Sequence, residues 1–120
     1  MSEKWYAVME DRNCDDWGWG SKDLNQAYKM VIEIIDKHPD AYIAVIENDC
    51  CVDEIGIGNF DTVYYYAAQI AKAHDWDEAR DDFEHLMHWL DMEDEWKSTD
   101  ADNFEDVLRK AGKKIGVDLV

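Results

Sequence analysis

One proline, six glycines and three cysteines are all the usual punctuation and cross-linking residues that this 120-residue chain holds. No stretch is rich enough in Gly, Ser or Pro to act as a linker, and no segment repeats. One domain over 1–120 is therefore expected, with an α+β part at 1–58 and a helical, strongly acidic part at 59–120. No apolar run approaches the roughly 20 residues of a membrane-spanning helix. The start, "MSEKWYAVMED", has neither the basic nor the apolar region of a signal peptide, so a cytoplasmic protein is expected. Cys14 and the adjacent Cys50 and Cys51 form an odd set without framework spacing. They offer neither a secreted disulfide pattern nor the C-x₂-C ligand spacing of zinc, and are expected to be reduced, partly buried thiols.

The usual catalytic signatures are missing as well. There is no Ser-His-Asp arrangement, no nucleophile elbow and no phosphate-cradling glycine loop. Gly18 and Gly20 stand behind acidic residues that would repel phosphate. No cofactor is expected, and a catalytic or small-molecule pocket would have to be assembled near Cys50, His74 or the His85/His88 pair. Basic residues are the scarcest resource of all: 12 Lys and Arg face 29 Asp and Glu, a net charge of −17. That balance argues against direct nucleic-acid binding and against anionic membranes, and points to a basic protein partner.

What is present is a core. Apolar residues make up 47% of the chain and aromatics 12%, too much for a disordered tail. Residues 4–10, "KWYAVME", have the β-favouring Trp5, Tyr6 and Val8 of a strand. Asp23 has the character of an N-cap, with Gln26 in capping-box spacing, and Leu24, Ala27, Tyr28, Val31, Ile34 and Ile35 follow at helical intervals before Pro39. "AYIAVIE" at 41–47 suits a central strand covered on both faces, and "CCVDEIGIG" at 50–58 a second, weaker strand after the turn "END". Three helices should follow. Val63, Tyr66, Ala67 and Ile70 mark one over 61–73, with Tyr64 and Tyr65 showing their hydroxyls. Ala79, Phe83, Leu86, Met87 and Leu90 mark another over 77–91. Phe104, Val107, Leu108, Ala111 and Ile115 mark the last, with Asp102 and Glu105 as its capping box and Lys110, Lys113 and Lys114 complementing its C-terminal dipole. The fold class is α+β: an N-terminal β-α-β-β unit with a small sheet, then three helices.

The acid is concentrated. Between Asp75 and Asp106, fourteen carboxylates stand against Arg80 and Lys97, a net of −12. Asp77, Glu78, Asp81, Asp82, Glu84 and Asp91 fall on or beside the polar face of the 77–91 helix. Asp91, Glu93, Asp94, Glu95 and Trp96 continue the run through "DMEDEWKSTDAD", expected to be a loop. Carboxylates spaced along a rigid helix can imitate backbone phosphates, though a solvated face that keeps a small protein soluble has the same composition. "CDDWGWGS" at 14–21 adds Asp15, Asp16, Trp17 and Trp19. There either both tryptophans pack inward, or one faces out to make an acidic-aromatic anchor, with Gly18 and Gly20 turning the backbone between them.

Two metal patterns are incomplete. Asp11, Asn13 and Asp15 copy the start of a calcium loop, but Asp16 stands where glycine and Lys22 where glutamate is required. His85 and His88 lie one helical turn apart among carboxylates, without the second copy that a dimetal bundle needs. No metal is expected at either.

In size, acidity and aromatic content, and in the segment 75–106, the chain resembles the small acidic anti-CRISPR and antirestriction proteins of phages and mobile elements. The resemblance implies a stoichiometric, non-enzymatic inhibitor of a nuclease or other nucleic-acid-binding effector. It would act through Asp15, Asp16, Trp17 and Trp19 and the acidic run from Asp77 to Trp96. An immunity protein or antitoxin against a basic toxin would use the same electrostatics.

Overall fold

The computed structural model describes residues 3–13, 16–73 and 75–119. Four strands form one antiparallel sheet in the order β2-β1-β3-β4: β1 is Lys4–Met9, β2 Gly20–Ser21, β3 Tyr42–Glu47 and β4 Cys50–Ile55. Helix α1 (Leu24–Ile34) lies between β2 and β3. A single 3₁₀ turn, Ile57–Asn59, leads into α2 (Thr62–Lys72), α3 (Trp76–Trp89), α4 (Glu93–Lys97) and α5 (Phe104–Ile115). Among the described residues, no helix is long and apolar enough to cross a membrane.

The period-2 alternation of β1 and β3 sorts their side chains cleanly. Val8 and Ile43, opposite each other in register, face the helices and join the main core with Tyr28, Val31, Phe60, Phe83 and Leu86. Ala7, Met9, Tyr42, Ala44 and Ile46 turn the other way and, with Trp5, form a second buried layer. That two-sided burial makes 41–46 a continuous apolar run, as expected of a central strand. The register runs Lys4↔Glu47 through Met9↔Tyr42. On the far side β4 pairs with β3, interrupted by a bulge between Val45 and Ile46. Asn48 and Asp49, both with positive φ, make the two-residue hairpin between them.

From the sheet outward the helices stack in sequence: α1 on β1 and β3, α2 on α1, α3 on α2, and α4 and α5 on α3. The molecule is correspondingly elongated, 49 × 28 × 18 Å, with a radius of gyration of 15.3 Å. A compact chain of this length would have about 14 Å.

Five expectations need correction. The N-terminal unit is β-β-α-β-β, because Gly20–Ser21 adds a short edge strand against Tyr6 and Ala7. Gly20 serves close approach rather than a turn: a Cβ there would sit 2.1 Å from the Tyr6 carbonyl oxygen. The second strand of the hairpin stops at Ile55, and 57–59 is a helical turn. The acidic "loop" after α3 contains α4, so four α-helices follow the sheet rather than three. Finally, α5 starts after Asn103, not Asp102. Asp100 accepts from the amides of Asp102 and Asn103 and so builds the turn that precedes the helix. Asp23 does cap α1, accepting the Asn25 amide.

The end of α3 carries a local cost. Met92 N–H reaches the Met87 carbonyl (2.9 Å) and Asp91 N–H the His88 carbonyl (3.2 Å), which closes a Schellman turn around Asp91 at φ 61°. The equivalent position after α5 is Gly116, at φ 78°. An aspartate there strains its backbone and puts a negative charge at the negative end of the helix dipole. Asp91→Gly should therefore raise stability by about 1 kcal/mol, seen as a rise of several degrees in Tm.

Candidate functional site

Helix α3 fixes the acidic face. Asp75 caps its N-terminus, accepting the Glu78 amide at 2.9 Å, and Asp77 and Glu78 in the first turn complement the dipole. The apolar stripe Ala79, Phe83, Leu86 and Met87 is buried and holds the helix on the core, which leaves the carboxylates outward. Of the fourteen acids from Asp75 to Asp106, thirteen are exposed and Asp82 is half-buried. Two of the exposed ones have described ion-pair partners: Glu93 with His88 (2.6 Å), and Asp106 with Arg109 (3.1 Å).

Short α4 is moored by Trp96. Its ring lies 5.7 Å from Trp76 and 5.5 Å from Phe83, and Phe104 lies tilted against Trp76 at 5.2 Å. Trp96 is therefore half-buried in an aromatic cluster rather than displayed. The displayed tryptophan of this face is Trp89, at the end of α3, 58% exposed. Sequence reasoning passed over it, although it stands between His88 and Leu90 just before an acidic turn. Between α3 and α4 lies a groove of ≈ 550 Å³ lined by Glu84, His85, His88, Glu93, Trp96 and Lys97. His85 donates from Nδ1 to the Asp81 carbonyl and stacks on Tyr66, and His88 donates from Nδ1 to Glu93. That bond, with Lys97 adding to it, holds the Glu93 carboxyl below its ordinary range.

The tryptophan loop lies elsewhere. Asp16 accepts the Gly18 amide in a tight turn, Trp5 Nε1 donates to the Trp17 carbonyl (2.7 Å), and Val8 N–H to the Trp19 carbonyl (2.8 Å). Trp17 is 37% and Trp19 42% exposed, so neither is a core residue and neither stands free. The loop is tied to Trp5, on the sheet face turned away from the helices, whereas α3 lies beyond α1 and α2. The expected acidic-aromatic patch and the acidic helix are thus two separate surfaces. Asp15, Cys14 and His74 lie outside the described residues. Cys50 and Cys51 are exposed on the edge strand β4, not partly buried as expected. Among the described residues no group of three or more His, Cys, Asp or Glu could hold a metal ion.

No family model, curated protein or solved structure matches this chain. The chemistry of the acidic face must therefore be read from its own charges. Burial first, and neighbouring Asp81 next, raise the Asp82 carboxyl above its ordinary range, with His85 opposing. A carboxyl whose folded pKa is raised costs stability once it ionises. The cost begins as pH rises through the unfolded value and is complete above the folded one. Asp82→Asn should therefore stabilise the fold at pH 7 by about 0.5 kcal/mol, including relief of its i,i+4 repulsion with Glu78, and have no effect near pH 2. Mutual repulsion among the exposed carboxylates of this face also opposes folding. Raising NaCl from about 0.02 to 0.5 M screens that repulsion, and thermal melts should move upward. A downward shift would mean that ion pairs within the chain outweigh the repulsion.

Proposed function

We propose that this protein is a non-enzymatic, cytoplasmic inhibitor of the anti-CRISPR or antirestriction type. It occupies the basic, nucleic-acid-binding surface of a nuclease or similar effector by acidic charge mimicry. The observation that carries this reading is the linear charge density of α3. Six carboxylates, Asp75, Asp77, Glu78, Asp81, Asp82 and Glu84, fall within ten residues. Arg80 lies among them, so the net is −5, and at 1.5 Å rise per residue that is one net charge per about 3 Å of axis. Duplex DNA carries one per about 1.7 Å and each of its strands one per about 3.4 Å. The stretch 75–84 therefore presents a charge density between that of one strand and that of two, on a scaffold that costs no ordering when it docks. Helix α4, beside α3 across the groove, adds Glu93, Asp94 and Glu95, all exposed. A basic cleft shaped for a phosphate backbone would accept this edge, and long-range attraction would speed the encounter.

Displacement of labelled DNA tests the reading. Increasing amounts of the protein are added to a panel of guided nucleases, restriction–modification enzymes and DNase toxins, each loaded with labelled duplex. Stoichiometric displacement from at least one member is expected, fading between about 0.05 and 0.3 M NaCl as screening shortens the range of the field. Displacement confined to the DNase toxins moves the reading to an immunity protein. Displacement indifferent to salt, or none from any member, overturns it.

A further inference from the structure

The groove between α3 and α4 is more particular than a bare row of carboxylates. Glu84 and Glu93 stand on its two walls, the half-buried Trp96 ring lies between aromatic neighbours, and His85 and His88 complete its lining with Lys97. At ≈ 550 Å³ it falls in the size range of side-chain and small-ligand pockets. The His88 bond engages Glu93 through Oε1. Glu84 has no hydrogen-bond or ion-pair partner among the described residues. An entering cation therefore meets one free carboxylate, a second with one oxygen already bonded, and aromatic surface beside them.

Resting on the charge-mimicry reading, we infer that this groove takes an arginine side chain of the partner in preference to a lysine. A guanidinium is planar and weakly hydrated, stacks on aromatic rings and offers five donors in a fork that suits carboxylates. An ammonium is a compact, strongly hydrated point charge. Lys97 subtracts from the attraction for either cation equally, so what stacking and forked bonding add falls to arginine alone. The protein already contains one such arrangement. The Arg12 guanidinium lies 4.0 Å from the centre of the Tyr42 ring and is bonded to Glu54 at the same time. At that position the bond to Glu54 holds the guanidinium firmly in its charged form.

Two peptides of equal charge, one with six arginines and one with six lysines spaced by Gly-Ser, provide the test when titrated into the full chain at low salt. The arginine peptide should bind roughly 10-fold more tightly and shift the Trp96 indole N–H resonance. Glu84→Gln with Glu93→Gln should abolish most of that preference. Asp77→Asn with Asp94→Asn, which removes the same charge outside the groove, should weaken both peptides and leave the preference intact. Equal binding of the two peptides, or a preference that survives the Glu84/Glu93 change, overturns the inference while the charge reading stands. No binding of either peptide at low salt overturns the charge reading itself.

Discussion

Replacing Asp81, Asp82, Asp91 and Asp94 together with asparagine should weaken partner binding by roughly 30- to 1000-fold at low salt and leave the fold at least as stable. The binding estimate takes about 0.5–1 kcal/mol for each exposed charge at a complementary rim, or about 2–4 kcal/mol in all. Three of these residues are exposed and Asp82 is half-buried. None belongs to the buried set that holds α3 to the core. Stability should not fall, because the changes relieve the ionised Asp82 and thin a field that opposes compaction. Asn is also tolerated in the left-handed conformation at position 91. Opposite signs for binding and stability are the signature of a functional charge excess: the face costs the fold something and is kept for its partner. Equilibrium binding and thermal melts of the same preparation check both halves. Undiminished binding would show that this face is only a solvated surface.

The long helices were legible because their burial is periodic, and the strands because β-favouring and apolar residues run together in them. The β-favouring residues of "KWYAVM" and the unbroken apolar run at 41–46 follow from a sheet with buried residues on both faces. The spacing Ala79, Phe83, Leu86, Met87 follows from a helix with one buried side. What escaped detection lacked such a period. Gly20–Ser21 is a strand of two residues, held because Gly20 lets the chain lie against Tyr6. Helix α4 reads as loop because acids dominate its five residues, and tertiary contact through Trp96, not intrinsic preference, holds it in place. The candidate site was legible as charge and not as shape. The acids of 75–106 announced an acidic surface, yet the pattern left the exposure of Trp96 open and missed Trp89. Exposure of an aromatic depends on which neighbouring element covers it, and for Trp96 that element is the cluster of Trp76 and Phe83. The loop at 16–19 showed the same limit. Its acids and tryptophans suggested either a small acidic-aromatic anchor or two core residues, and the stacking of α1 and α2 on the sheet sets this loop apart from the acidic helix.

Phe83→Ala should cost about 3–5 kcal/mol, a large part of the roughly 5–15 kcal/mol that holds a domain of this kind folded. Phe83 is fully buried on α3, edge-on to Trp76 at 6.1 Å and against Trp96 at 5.5 Å. Removing the ring leaves a cavity where α3 meets α4, and Tm should fall by 10 °C or more in calorimetry. A five-residue helix such as α4, with no side-chain cap bond at its start, is far too short to persist without this contact. Glu93, Asp94 and Glu95 would then lose their fixed positions, and Glu93 its place across the groove from Glu84. Because the substitution leaves the net charge of −17 unchanged, it separates the two ways in which an acidic surface can work. Measured well below its lowered melting point, the variant should bind the partner at least 10-fold more weakly if recognition depends on carboxylates held in register. Equal affinity would mean that the partner responds to the net field alone, and the spacing along α3 and α4 would then have no part in recognition.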